Sequence, residues 1–88
     1  MRNKDDLING MKLVMVKMWN LKPNTNETEI AHYASGLADR ILANDTRYTL
    51  DLHARDIQVN WLRLPESKDY TEVVDWSLAL ARSLGLVS

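Results

Sequence analysis

The sequence predicts an all-α protein, a compact four-helix domain built from residues 1–88 as one unit. Three observations carry that expectation. Apolar residues recur at three- and four-residue steps along nearly the whole chain, which is the spacing of a helix face. Asn, Thr, Ser and Asp stand where those helices would begin, and Asn or Gly where they would end. With 45% apolar and 26% charged residues, 88 residues suffice for one core without staples, and no cysteine is present to make one.

The first helical segment is expected from about Asp5 to Asn20. Leu7, Met11, Val14, Met18 and Leu21 form its stripe, and Ile8, Met15 and Trp19 widen it. Asp5 and Asp6 fall in the first turn, where carboxylates favour the positive end of the helix dipole. Leu13 and Val16 lie outside the stripe, on the far face. A helix that is apolar on two sides needs two neighbours. Either it is central to the domain or one side meets a second protein.

Pro23 forces Lys22 out of helical geometry, and the Asn/Thr run around it suits a turn. Asn26 followed by Glu29 reads as a capping pair for a second helix. Ile30, Tyr33, Leu37, Ile41 and Leu42 supply its buried face, with Ala34 and Ala38 keeping it slender. Asn44 is suited to the left-handed position that closes it.

The third segment supports two readings. Leu50, Ala54, Ile57, Trp61 and Leu64 fit a helical stripe, with Thr49 as a candidate cap. The same stretch alternates with period two through Tyr48, Leu50, Leu52, Ile57, Val59 and Trp61. That alternation would suit a β-hairpin turning at residues 53–56 and give an α+β fold. The helix is favoured because His-Ala-Arg-Asp contains no glycine or asparagine for a tight hairpin turn.

Pro65 ends this segment, Ser67 or Asp69 can cap the next, and the last helix is expected from about Tyr70 to Leu84. Val73, Trp76, Leu80, Leu84 and Val87 make one stripe; Val74, Leu78 and Ala81 make a second beside it. Gly85 is a fitting terminator. All three tryptophans, Trp19, Trp61 and Trp76, are expected in the core, and an exposed one would be a natural anchor for a protein partner.

Several classes of function are disfavoured. Without cysteine there is no thiol nucleophile and no thiolate metal site. His32 follows Glu29 by three residues, but no third or fourth ligand stands at metal spacing, and no cofactor is expected. His53 is bracketed by Asp51 and Asp56 without a nearby nucleophile. The two histidines are far apart in the chain, and a thin helical bundle rarely spares room for a pocket. The apolar run Leu13–Val16 is far short of the roughly 20 residues that span a bilayer. No signal-peptide core follows Met-Arg-Asn-Lys, so a cytoplasmic location is expected.

A net charge of −1 offers no overall steering toward nucleic acid. Residues 1–22 carry five basic and two acidic side chains, residues 65–88 two basic and four acidic, so the first and last helices are expected to attract one another. A DNA-binding regulator is an alternative reading, with residues 29–64 as a helix-turn-helix. Arg55 and Arg63 would then reach phosphates, against Asp51 and Asp56.

Three stretches carry a family resemblance: Trp19-Asn20-Leu21-Lys22-Pro23, Thr25-Asn26-Glu27-Thr28-Glu29-Ile30, and Tyr33-Ala34-Ser35-Gly36-Leu37-Ala38-Asp39. Together with Trp61-Leu62-Arg63 before Pro65, they resemble the small phage-type replicative helicase loaders over roughly residues 14–75. The resemblance implies a helical domain without catalytic residues that binds a replicative helicase, holds it inactive and delivers it to DNA. The function expected is therefore a non-catalytic adaptor acting through protein contact, with Leu13, Val16 and Lys17 as contact residues. Self-association through Leu13 and Val16, giving a homodimer or structural subunit, is the other alternative.

Overall fold

The computed structural model describes residues 3–22 and 25–87 and contains four α-helices, with no strand among the described residues. They are α1 (Lys4–Met18), α2 (Glu27–Leu42), α3 (Arg47–Asp56) and α4 (Asp69–Ser83); a π-helical turn, Ile57–Trp61, continues α3. The hairpin reading of residues 48–64 is thereby excluded. The break at Pro23 lies outside the described residues.

Local side chains set the helix starts. Asn3 accepts from the backbone N–H of Asp5 and Asp6, and Asp6 accepts from the N–H of Asn3, a reciprocal capping box. Asn26 caps α2 through the Glu29 N–H as expected, but the Glu29 carboxylate turns away to take the Tyr33 hydroxyl at 2.6 Å. The α3 cap is Thr46, not Thr49, whose N–H it accepts. Ser67 Oγ accepts from the Asp69 N–H at the start of α4.

Three helices stop by one device, a left-handed residue followed by an N–H that reaches back to an orphan carbonyl. At α1 the residue is Asn20 (φ 50°), and Leu21 donates to Val16. At α2 it is Asn44 (φ 60°), with Asp45 donating to Arg40; at α4 it is Gly85 (φ 73°), with Leu86 donating to Ala81.

The helices pack in cyclic order: α1 against α4 and α2, and α3 against α4 and, less extensively, α2. Leu7, Met11 and Met15 of α1, with Trp19 just past its end, form a fully inward line at four-residue spacing. It meets Ile30, Ala34, Leu37 and Ile41 of α2, Leu50 and Ala54 of α3, and Val73 and Val74 of α4 in one core. Gly10 marks the close crossing of α1 with α4, since a Cβ there would run into the Leu80 side chain.

Among the described residues no ion pair joins the first and last helices, whose opposite charges predict an attraction. Lys4 pairs with Asp39 and Lys12 with Glu27, both on α2. Asp75 of α4 is instead taken by Arg47 of α3 at 2.6 Å, and the same guanidinium holds Asp51 and the Thr71 carbonyl. Side-chain packing governs the α1–α4 seam because its inner positions are apolar on both helices.

Gln58 organises the π turn. It is 1% exposed and accepts the Trp19 indole N–H at 2.8 Å. Its amide donates to the carbonyls of Pro65 and Ser67 and to Ser67 Oγ, so every polar atom of this buried side chain has a partner. The shift to Leu62 N–H donating to the Ile57 carbonyl widens the turn. Gln58 is held inside and Trp61 is carried off the face that α-helical spacing assigns to it.

Candidate docking site

The structure places Leu13 73% exposed and Val16 39% exposed, with Lys17 exposed beside them. They share a surface with a residue that sequence periodicity assigns to the core: Trp76 of α4 is 57% exposed. The buried line of α4 runs instead through Val73, Val74, Ser77 and Ala81. Ser77 can take a core position because its hydroxyl donates to the Val73 carbonyl at 2.6 Å. That small-residue line, Ser77 to Ala81, is the sequence signal that turns Trp76 outward.

Gly10 lies against Leu80, while Val14 and Met18, further along α1, lie beside Trp76, so the two helices run antiparallel. Two shallow grooves follow their seam. One, of about 210 Å³, is lined by Leu13, Val14, Lys17, Met18 and Trp76. The other, of about 380 Å³, is lined by Gly10, Val14, Trp76, Ala79, Leu80 and Ser83. Val14 and Trp76 belong to both, which makes the seam one apolar track with the indole at its middle. On the other flank of Leu13 and Val16 a third hollow reaches Lys12, Lys22, Thr25 and Glu27.

The opposite seam, between α2 and α3, brings the two histidines together. His32, Gly36 and Arg40 of α2 face His53, Asp56 and Trp61 across a cleft of about 300 Å³. The bundle therefore does leave room for a cleft, formed where Gly36 presents no side chain to His53. Trp61 is 62% exposed and not in the core; its indole N–H donates to Asp56 Oδ2, while Asn60 donates to Oδ1. Those hydrogen bonds, Asn60's first, hold the Asp56 carboxyl below its usual range. Both oxygens of Asp56 thus accept from neighbours on its own segment, and among the described residues no hydrogen bond joins Asp56 to His53. Tyr33, buried and bonded to Glu29, has its hydroxyl pKa pushed up to about 12, chiefly by burial. Among the described residues no three His, Asp or Glu side chains converge as a metal site.

Burial, reinforced by the Arg40 charge, lowers the His53 pKa from its usual 6.5, against weaker opposition from Asp56 and Asp45. Between the lowered value and 6.5 the unfolded chain binds more protons than the folded one, so stability rises with pH there. The contribution is complete above 6.5 and lost as the pH falls through that window. Melting temperatures scanned from about pH 8 to about pH 5 are expected to fall less in His53→Asn than in wild type. Identical slopes would remove His53 as the cause.

Of the two arginines expected to reach phosphate, Arg55 is paired with Glu66, whereas Arg63 is exposed and no ion pair engages it among the described residues. Arg40 pairs with Asp45 at 3.6 Å and Arg47 with two aspartates. No helix among the described residues is long and apolar enough to cross a membrane. Fold and seam together define a small helical domain with an exposed apolar face. No protein-family model matches the chain, and no curated protein or solved structure matches it either.

Proposed function

We propose that this chain is a non-catalytic adaptor that works by protein–protein contact through the α1–α4 seam, and that its target is replication machinery of phage or mobile-element type. One observation carries the docking reading: Leu13, Val16 and Trp76 lie in the open on two helices whose inner faces already fill the core. Fully burying a side chain such as Leu13 is worth roughly 1.5–3 kcal/mol, and exposed apolar side chains grouped in this way mark an interaction surface. The choice of target comes from the helicase-loader resemblance. Direct DNA contact is the weaker reading, because Arg55 is held by Glu66, and cations without a carboxylate partner among the described residues, such as Lys17, Lys22 and Arg63, are few and give only a weak phosphate grip.

The test uses a purified bacterial replicative helicase hexamer and follows complex formation and strand unwinding as the chain is added. Wild type is expected to bind and slow unwinding, and Leu13→Asp to do neither. Equal binding by Leu13→Asp and wild type would move the contact off the seam, and no complex with either would remove the helicase as target.

A further inference from the structure

We infer that the segment received by the α1–α4 seam is an acidic amphipathic helix. This rests on the docking reading above and adds the chemistry of the occupant.

The walls of the seam dictate the conformation. Both are α-helices whose mid-segment backbone donors and acceptors are consumed internally, so the seam offers no strand edge for an extended peptide to pair with. A segment docking there must satisfy its own backbone groups, which a helix does. From Gly10 to Met18 the track follows α1 for about 12 Å, at 1.5 Å per residue. That length receives anchors one and two turns apart, the i, i+4, i+7 pattern of a helix laid in a groove. Trp76, at the middle of the track, is the aromatic such an anchor would pack on.

The rim dictates the charge. Lys12, Lys17 and Lys22 flank Leu13 and Val16. Glu27 offsets Lys12 at 3.4 Å, whereas among the described residues no carboxylate pairs with Lys17 or Lys22. From α4 the lining adds Trp76, Ala79, Leu80 and Ser83, none charged. Lysines on the α1 side of the track, Lys17 lining it and Lys12 and Lys22 beyond Leu13 and Val16, fit glutamates flanking a leucine stripe. They also speak against a second copy of this chain. A two-fold contact centred on α1 would set the same lysines against themselves, and like charges across an interface oppose it.

The probe is a synthetic helix of about four turns with leucines at i, i+4, i+7 spacing and glutamates elsewhere. Its controls are a twin with lysine for every glutamate and an isomer with the leucines scattered. The readout is the three indole N–H resonances of the ¹⁵N-labelled full chain, where Trp19 is bonded to Gln58 and Trp61 to Asp56. The acidic peptide is expected to move the Trp76 resonance and leave the other two in place. Leu13→Asp should weaken binding at least about tenfold, Lys17→Glu severalfold, and added salt should weaken it further. The scattered isomer should not bind.

A lysine peptide that moves Trp76 at equal or lower concentration would overturn the acidic assignment while leaving the seam as a docking site. Failure of both amphipathic peptides to move Trp76 would overturn this inference, and a helicase complex lost in Leu13→Asp would then still uphold the docking reading. Sedimentation as a dimer that Trp76→Ala dissolves would assign the seam to a second copy instead.

Discussion

Gln58→Ala is expected to lower the free energy of unfolding by about 3–5 kcal/mol, a large share of the roughly 5–15 kcal/mol available to a small domain. The side chain is buried and serves the Trp19 indole N–H on one side and the carbonyls of Pro65 and Ser67 on the other. Its removal strands a buried donor and loosens the carbonyls that hold the turn before α4. Each unmet group costs about 1–3 kcal/mol, and the emptied volume adds to that. Gln58→Leu refills the volume without restoring any hydrogen bond, so it should recover only a minor part of the loss. Trp19→Phe removes the donor that Gln58 answers, so in a double-mutant cycle the two losses should sum to less than their separate values by about 1 kcal/mol. Urea titration gives all four numbers, with an unchanged slope showing that the denatured state is the same. A Gln58→Ala loss below about 1 kcal/mol would mean that water serves these groups and that the network does not hold the π turn.

The elements whose ends depend on near neighbours are those the sequence announces. Asn26, Asn44 and Gly85 can be placed by spacing alone, because a cap or a left-handed stop involves residues only a few positions apart. The Asn3–Asp6 box and Asn20 are equally local, but Pro23 is the stronger visible breaker and draws attention past Asn20. Gln58 is illegible for the opposite reason. Its chief partner, Trp19, is 39 residues away, so nothing nearby marks it as a core residue. The π turn follows from that distant bond, and with it the exposure of Trp61, since uninterrupted helical spacing would return Trp61 to the face of Ile57. At the docking face the reading is half complete. Leu13 and Val16 stand off the stripe of α1 and can be found by periodicity, while Trp76 is hidden in a stripe that looks as good as the true one. Tryptophan is so strong a hydrophobic signal that it outweighs Ser77, yet the small residue takes the inside because its hydroxyl is satisfied by its own helix. His32 and His53 meet across a cleft for a further reason: helix pairing, which spacing does not report, decides which faces oppose.

Two positions on one turn of α1 should separate folding from binding. Met11 is fully buried in the inward line, and Met11→Ala is expected to cost about 3 kcal/mol, because the lost transfer energy is joined by a cavity that three packed helices cannot close. In a domain of this size that corresponds to a fall of roughly 10–20 °C in melting temperature. Leu13, two residues on, has almost three-quarters of its surface in water, so Leu13→Asp should stay within about 0.5 kcal/mol of wild type. Its effect on the seam runs the other way. Aspartate puts a charge in the apolar track beside Trp76 and Lys17 and should abolish docking of an acidic helix, whereas Met11→Ala should bind normally at temperatures where it is still folded. The physical basis is that core residues exchange water for protein on folding, and seam residues do so only on association. Thermal melts and the indole titration on these two variants measure both halves. If Leu13→Asp melts as far below wild type as Met11→Ala does, Leu13 contributes to the fold and the division of α1 into a structural and a docking face is lost.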